Sequence, residues 1–265
     1  MDLSRHNRQA WDKLSGPNCP WSKPVSGEEI SLAKKGAWEL TLAGPTPVPE
    51  QWLGDIKGAS VLCLAAGGGQ QAPILAAAGA HVVLLDISDK QLALDRALAR
   101  EHALAIQIEQ GDMTNLSRFE DESFDVVFNP VSNPYVADLQ SVWDECARVL
   151  KPQGRLLAGS INPYNYLFEE NEGTGEEGLT VKYKLPFVER EILSEKDLAE
   201  AIKRKMVFTW SHSLEEIIGG QIKAGFMIAG LFESRRTDAR APLINQYAPT
   251  YIATLAIKAS PGLLG

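Results

Sequence analysis

Short apolar runs alternate with amphipathic stretches from residue 59 onward, and this alternation is the main structural signal of the chain. Runs of this kind, bounded by turn-forming residues, are typical of strands buried on both faces, and the stretches between them have the period of helices. The predicted strands cover residues 61–66, 81–85, 105–110, 124–128 and 155–160, and the predicted helices cover residues 70–78, 90–103 and 138–150.

Strands that alternate with helices at this spacing predict a parallel sheet joined by right-handed crossovers. Two further strands are predicted at residues 226–233 and 251–259. The segment between them has no strong helical pattern, so we expect this pair to be antiparallel. The predicted fold class is therefore α/β, a Rossmann-like doubly wound sheet that is mostly parallel and has an antiparallel last strand.

Two regions flank this core. Residues 1–55 contain predicted helices at 4–14 and 27–40 with prolines between and after them, and we interpret them as an N-terminal helical arm packed on the core. Residues 56–265 form the predicted core domain.

An insertion at about residues 162–211 breaks the alternation within that domain. It contains a predicted strand at 179–185 and a predicted helix at 195–205, and we interpret it as a lid above the strand ends. Ser213 and Glu216 then form a capping-box pattern, which predicts a helix as far as residue 223.

Polar and glycine residues follow four of the predicted strands. Gly67-Gly68-Gly69, Asp86, Asp112 and Asn129 each stand where a strand ends. In parallel sheets, ligands bind beyond the carboxyl ends of the strands, so these residues should converge on one site. Glycine allows the backbone to approach a ligand closely, and the helix that follows favours a negatively charged group.

Asp86 and Asp112 have chemistry that suits a nucleoside. A carboxylate at the end of the second strand can accept hydrogen bonds from both hydroxyls of a ribose, although it could also cap the next helix. Asp112 could accept from an adenine amine and Met113 could cover the ring, although Asp112 could also be a turn residue. Gly67, Gly69 and Ala72 also fit a dinucleotide fingerprint, which keeps an NAD-dependent oxidoreductase open as an alternative.

The composition excludes several classes of protein. The formal net charge of −8 and the isoelectric point of about 5.1 disfavour a nucleic-acid-binding protein. The cysteines Cys19, Cys63 and Cys146 are odd in number and widely spaced, so they indicate a reducing compartment rather than a disulfide framework. The beginning of the chain has no apolar leader segment. We therefore expect a cytoplasmic protein without a membrane or nucleic-acid partner; its oligomeric state cannot be read from the sequence.

The order of these motifs resembles the core of a class I S-adenosylmethionine-dependent methyltransferase, nearest to the small-molecule group often called type 11. The first two stretches that carry the resemblance are Val61-Leu62-Cys63-Leu64-Ala65-Ala66-Gly67-Gly68-Gly69 and Leu84-Leu85-Asp86. The others are Gly111-Asp112-Met113, Phe124-Asp125-Val126-Val127-Phe128 and Ala147-Arg148-Val149-Leu150-Lys151-Pro152-Gln153-Gly154-Arg155-Leu156.

The resemblance implies a seven-stranded sheet and a methyl transfer by direct displacement from S-adenosyl-L-methionine to a small-molecule acceptor, which leaves S-adenosyl-L-homocysteine. It implies cofactor contacts from Ala65, Gly67, Gly68, Gly69, Asp86, Ile87, Asp112, Met113 and Asn129. In this family an acid usually stands where this chain has Cys63 and a glycine where it has Ala65. The acid commonly orders the loop near the cofactor, so its absence leaves open a non-catalytic, cofactor-binding protein on the same fold.

Candidates for the acceptor site are aromatic. Trp11 and Tyr164 are the predicted substrate-binding residues, and Trp21, Tyr166 and Trp210 are further candidates for the pocket wall. His212, just before the capping box, is the best-placed histidine for a general base, although catalytic residues remain undetermined. The histidines and carboxylates show no metal-ligand spacing, so we expect no metal.

Overall fold

The computed structural model describes residues 2–170, 178–238 and 241–260. The strands are β1 (Ser60–Leu64), β2 (His81–Asp86), β3 (Ile106–Gln110), β4 (Phe124–Asn129), β5 (Leu150–Ile161), β6 (Phe168–Glu170), β7 (Leu179–Val181), β8 (Phe226–Ser234) and β9 (Tyr251–Lys258). The α-helices are α1 (Leu3–Leu14), α2 (Gly27–Ala33), α3 (Glu50–Leu53), α4 (Gln71–Ala77), α5 (Asp89–Glu101), α6 (Leu139–Val149), α7 (Glu189–Ile192), α8 (Glu195–Arg204) and α9 (Gly220–Lys223).

Seven strands form one sheet in the order β3-β2-β1-β4-β5-β9-β8. The strands from β1 to β5 run parallel, whereas β9 is antiparallel to both of its neighbours, β5 and β8. The predicted fold class is therefore confirmed, including the antiparallel last strand. The strand order reverses between β1 and β4, and in such sheets a crevice opens beyond the carboxyl ends of the strands at that point.

Apolar side chains fill both faces of this sheet. On one face, buried residues of β1 and β2 pack against α4 and the segment that contains α3. On the other face, Trp143 of α6 is fully buried and its indole N–H donates to the carbonyl of Glu216 at 2.9 Å. Because both faces are covered, the strands consist of near-continuous apolar runs, which is the pattern that revealed them in the sequence.

The N-terminal residues lie against this core. Helix α1 packs against α5, and α2 packs against α4. The backbone N–H of Val25 donates to the carbonyl of Gly69 at 2.8 Å. The division of the chain into an arm and a core at residue 55 stays a prediction.

Two predicted elements are shorter than expected. The helix predicted at 27–40 ends at Ala33, because Gly36 adopts a φ of 85° and turns the chain out of the helix. The strand predicted at 179–185 ends at Val181, because the N–H groups of Lys182 and Tyr183 both donate to the carbonyl of Leu167. The glutamate- and glycine-rich part of the predicted lid at 171–177 lies outside the described residues.

The capping box before the last helical segment is present. The N–H of Ser213 donates to Glu216 Oε2 at 2.7 Å, and the N–H of Glu216 donates to Ser213 Oγ at 3.1 Å. The helix that follows starts as a π-helical turn at Glu215–Gly219 before it continues as α9. In the described part of the chain, no helix combines the length and apolar character needed to cross a bilayer.

Candidate functional site

A cavity of about 690 Å³ lies beyond the carboxyl ends of β1 to β4. Its inner wall consists of residues that directly follow those strands, and the N-terminal segment, the insertion and the loop before β9 supply the rest. This volume falls within the range of roughly 300–1,000 Å³ that is usual for small-molecule sites. The position is the one that the strand-end residues predict.

The structure brings most of the predicted cofactor residues together. The members of that set that line the cavity are Ala65, Gly67, Asp86, Ile87, Asp112 and Met113. They come from the ends of β1, β2 and β3, which are adjacent in the sheet. The remaining three, Gly68, Gly69 and Asn129, are not among the lining residues.

A hydrogen bond joins the glycine turn to Asp86. The Gly67 N–H donates to Asp86 Oδ2 at 2.9 Å, and the Ser88 N–H donates to Oδ1 at 2.8 Å. Ser88 also caps α5 through the Gln91 N–H, so the helix-cap role considered for Asp86 belongs to Ser88. Each Asp86 oxygen keeps acceptor capacity, because a carboxylate offers about four acceptor positions and these contacts use two.

Gly67 is tightly enclosed. A Cβ atom at this position would lie 2.9 Å from Gln91 Cβ and 3.0 Å from Asp86 Oδ2. A larger residue would therefore displace the Asp86 carboxylate itself. Asp86 is only 8% exposed, and this burial raises the pKa of its carboxyl group. The hydrogen bonds from the N–H groups of Ser88 and Gly67 lower the pKa, but burial is the larger effect.

Ala65 occupies a left-handed backbone conformation at the end of β1. Its φ is 50°, and its N–H donates to the carbonyl of Leu85 at 2.7 Å. This conformation costs an L-residue about 1–2 kcal/mol and costs glycine almost nothing. The family's usual glycine at this position therefore has a conformational explanation.

Asp112 and Met113 lie at the end of β3. Asp112 Oδ1 accepts hydrogen bonds from the N–H and the hydroxyl of Thr114, at 2.9 and 2.8 Å. Its other oxygen accepts a hydrogen bond from the hydroxyl of Ser4 in α1. The Met113 side chain is buried and lines the cavity. Helix α1 thus contacts the part of the site predicted to bind adenine.

Gly68 and Gly69 face a carboxylate on the far side of the turn. Their N–H groups both donate to Asp95 Oδ2, at 2.8 and 3.0 Å. Gly68 has a φ of 125°, and a Cβ there would lie 2.1 Å from the carbonyl oxygen of Trp21. These glycines shape the turn, whereas the cavity is lined by Gly67.

Asn129 is fully buried behind the cavity. Its amide nitrogen donates to the carbonyl of Leu64 at 3.0 Å and to Ser132 Oγ at 2.8 Å. The amide therefore links the ends of β1 and β4. The contact of Asn129 with a cofactor, which the resemblance implies, is not supported by its position.

The two predicted substrate-binding residues differ in position. Trp11 lines the cavity, whereas Tyr164 does not, and its hydroxyl donates to the carbonyl of Pro249. Of the other wall candidates, Trp21 and Trp210 line the cavity, and Tyr166 instead stacks on Phe187 with ring centroids 5.3 Å apart.

His212 lies outside the cavity lining and is only 4% exposed. Its Nε2 is 2.9 Å from the carbonyl oxygen of Val136 and 3.1 Å from that of Asn133. Because both partners are acceptors, Nε2 carries a proton and donates to them. This arrangement explains His212 as a structural residue and does not support its role as a general base.

Several residues of the site were not predicted. They are Gln91, Tyr135, Arg236 and Tyr251 in the cavity wall and Asp95 beneath the glycine turn. Gln91 and Asp95 have a local signal, since the helical period places both on the buried face of α5 with Leu92 and Leu98. Arg236 and Tyr251 reach the site only through the pairing of β8 and β9.

Comparisons with known proteins agree with this geometry. A family model described as a methyltransferase domain matches residues 62–158. The uncharacterised methyltransferase YbaJ of Bacillus subtilis (strain 168) is 42% identical over 97% of this chain and 98% of that protein. The chain belongs to the class I S-adenosylmethionine-dependent methyltransferases.

Other methyltransferases share the core or the fold. The ubiquinone biosynthesis O-methyltransferase of Hahella chejuensis is 35% identical over 43% of this chain and 48% of that enzyme. An S-adenosylmethionine-dependent methyltransferase from Mesorhizobium loti has the same fold, with a TM-score of 0.61 at 20% identity over 78% of this chain and 94% of that one. The protein is thus a methyltransferase that uses S-adenosylmethionine, and the NAD-dependent and non-catalytic alternatives are set aside.

The residues of the cavity fit this cofactor. Gly67 presents backbone without a side chain, and the buried Asp86 beside it keeps acceptor capacity toward hydroxyl groups. Asp112 and the apolar Met113 lie in the same cavity. These are the groups that a ribose and an adenine ring require.

The conformation of Ala65 predicts that Ala65→Gly stabilises the methyltransferase. Relief of the left-handed conformation should outweigh the greater chain entropy of glycine, for a net gain of about 0.5–1 kcal/mol in the free energy of unfolding. Urea unfolding followed by far-UV circular dichroism would measure the change. Ala78→Gly, at the ordinary right-handed C-cap of α4, is the matched control and should destabilise. A loss of stability in Ala65→Gly would show that the left-handed conformation of Ala65 is not strained.

Asp95 predicts a specific dependence of stability on pH. Burial raises the pKa of this carboxyl to about 7, against the hydrogen bonds from Gly68 and Gly69. An unfolded aspartate has a pKa of about 4, so the folded protein holds a proton that the unfolded chain has lost between these values. The free energy of unfolding therefore falls as pH rises through this window.

Asp95→Asn should remove this contribution. Relative to the wild type, the variant should gain roughly 2–4 kcal/mol of stability between about pH 4.5 and about pH 8. Urea unfolding of both proteins across this range would test the difference, and parallel pH profiles would refute it.

Proposed function

We propose that the part of the cavity next to the strand ends holds S-adenosylmethionine through this chain's predicted residues. Asp86 would accept from the ribose hydroxyls and Asp112 from the adenine amine, with Met113 and Ile87 against the rings. The backbone of Ala65 and Gly67 would lie along the cofactor. Gly68, Gly69 and Asn129 would support these contacts from behind. When bound, the cofactor supplies an activated methyl group on a sulfonium sulfur, which a nucleophile can take directly.

We propose further that the acceptor is a small molecule that carries an aromatic ring. The observation that supports this is a set of four aromatic side chains in the cavity wall, Trp11, Tyr135, Trp210 and Tyr251. The rings of Trp11 and Tyr135 meet edge to face with centroids 4.9 Å apart. Flat, rigid side chains of this kind bind planar apolar ligands through area and ring geometry.

The charges of the cavity agree with a neutral acceptor. Among its described lining residues, the acids are Asp86, Asp112, Asp138 and Asp238, and the only cation is Arg236. The guanidinium of Arg236 is already paired with Asp238, with contacts of 2.8 and 3.0 Å. An anionic acceptor would therefore meet an excess of negative charge.

The cavity wall contributes positioning more than proton transfer. Its described residues include no histidine, lysine or cysteine. Burial raises the pKa of Tyr135 to about 12, and the hydrogen bond from the Ser141 hydroxyl lowers the pKa of Asp138, so neither is suited to act as a base near neutral pH. Alignment of the acceptor with the methyl group would then supply the rate enhancement, and the proton that the acceptor loses on methylation would pass to solvent.

The names of two relatives agree with a ring-bearing acceptor. They are a ubiquinone biosynthesis O-methyltransferase and a demethylmenaquinone methyltransferase, which match 43% and 38% of this chain. These matches cover less than half of this chain, so the argument for an aromatic acceptor rests on the cavity wall.

We also propose that the protein acts in the cytoplasm. All three of its cysteines are buried and unpaired, as is usual for proteins in a reducing compartment.

The cofactor site predicts the effect of Asp86→Ala. Loss of the acceptor for buried hydroxyls should weaken binding of S-adenosylhomocysteine by about 1–3 kcal/mol, which is about 5- to 150-fold in Kd. Isothermal titration calorimetry would measure the affinity, and Asp89→Ala, an exposed acid close by on α5, is the control. Equal affinities in the two folded variants would remove Asp86 from the site.

The acceptor site predicts which substrates turn over. Release of S-adenosylhomocysteine should occur with phenols or hydroquinones and should be much slower with aliphatic amines or carboxylates. Trp11→Ala should raise KM for a ring-bearing acceptor about tenfold, since aromatic contacts contribute about 0.5–1.5 kcal/mol beyond burial of area. Tyr247→Ala, with a side chain 72% exposed, is the control. Turnover confined to aliphatic acceptors would overturn the proposal while leaving the cofactor site intact.

A further inference from the structure

The glycine turn is held from below by a single carboxylate oxygen. Asp95 Oδ2 accepts both the Gly68 N–H at 2.8 Å and the Gly69 N–H at 3.0 Å. In both glycines φ is positive, at 125° and 76°, so their N–H groups can turn toward the same point beneath the loop. The carboxylate therefore determines the shape of this turn.

Asp95 is an unfavourable residue for a protein interior. Its side chain is fully buried, and its Oδ1 has no hydrogen-bond partner among the described residues. Burial of a carboxylate without full compensation destabilises a fold. Asp86 adds a like charge nearby, which disfavours ionisation of Asp95 further. A residue that opposes stability in this way indicates a function that an apolar side chain could not perform.

The neighbouring Cys63 on β1 is electrically neutral. It is fully buried, and burial raises the pKa of its thiol, as does the Asp95 carboxylate to a smaller extent. In the family that this chain resembles, an acid usually stands at the position of Cys63. Two carboxylates here would repel each other in a site of low polarity. One acid on α5 and a thiol on β1 place a single carboxyl group directly beneath Gly68 and Gly69.

We infer that Asp95 is a positioning residue that replaces the acid missing from β1, and that the turn needs one carboxylate beneath it, from whichever element supplies it. The inference rests on the cofactor site proposed above.

The physical route from Asp95 to the cofactor is short. Asp95 fixes Gly68 and Gly69, and these hold Gly67, whose N–H donates to Asp86 at 2.9 Å. From the other side, the Val25 N–H donates to the Gly69 carbonyl at 2.8 Å, so the turn is clamped between the N-terminal segment and α5. Without the carboxylate, two N–H groups lose their acceptor and the turn relaxes, and Gly67 no longer aligns Asp86.

The test moves the acid from one element to the other. Asp95→Ala should raise the Kd for S-adenosylhomocysteine at least about tenfold by calorimetry. The double variant Cys63→Asp with Asp95→Ala should return the Kd to within about threefold of the wild type. In the protein without ligand, amide hydrogen exchange of Gly68 and Gly69 should accelerate in Asp95→Ala and slow again in the double variant.

Asp89→Ala is the matched control, because it removes an exposed acid from the same helix, and it should leave both readouts unchanged. Asp95→Asn keeps one acceptor oxygen without the charge, so its Kd should lie between those of the wild type and Asp95→Ala. It also provides the test if Asp95→Ala does not fold.

Two outcomes would overturn the inference. One is an unchanged Kd in folded Asp95→Ala or Asp95→Asn, and the other is a folded double variant that binds no better than Asp95→Ala. If the wild type itself fails to bind S-adenosylhomocysteine, the proposed cofactor site is wrong instead.

Discussion

The contact between the glycine turn and the Asp86 carboxylate is the constraint on which the rest of this site depends. It joins the ends of β1 and β2 through a 2.9 Å hydrogen bond from Gly67, in a space where a Cβ atom would lie 3.0 Å from the carboxylate. Such an approach requires bare backbone, and bare backbone needs external support because glycine has the greatest conformational freedom. The chain supplies that support from Asp95 below and from the N-terminal segment above.

The N-terminal segment consequently belongs to the site even though it precedes the family's core. Trp21 lies over Gly68, and Ser22 donates to Gln91 Oε1 at 2.8 Å. Helix α1 reaches further across the cavity, with Asn7 donating to the carbonyls of Tyr135 and Phe208, both at 3.1 Å. Helix α1 is thus hydrogen-bonded to both the core and the insertion, and its side chains form part of the cavity wall.

The sequence allowed the sheet and one half of the site to be predicted, and the reason is that both are local. A buried parallel strand is a short apolar run, and the residues at its carboxyl end lie at the edge where the cavity opens, so the place of Asp86 and Asp112 in the cavity wall could be predicted from the sequence. His212 was considered for its proximity along the chain to a predicted lid, and the structure places its side chain outside the cavity lining. Tyr251 and Arg236 were missed because only the pairing of β8 with β9 brings them to the cavity.

The cavity is thus formed partly by strand ends and partly by segments that are distant along the chain, and this difference affects specificity for the acceptor. The half proposed for the cofactor is built from adjacent strand ends, so a substitution there disturbs the turn, the sheet edge and the buried carboxylates together. The half proposed for the acceptor is built from α1, residues 41–45, Trp210 and the segment that leads to Tyr251, which meet only in the folded protein. Side chains there can change with little effect on the sheet. The motifs that carry the resemblance to methyltransferases all lie in the half at the strand ends, so the acceptor has to be inferred from the other part of the cavity wall.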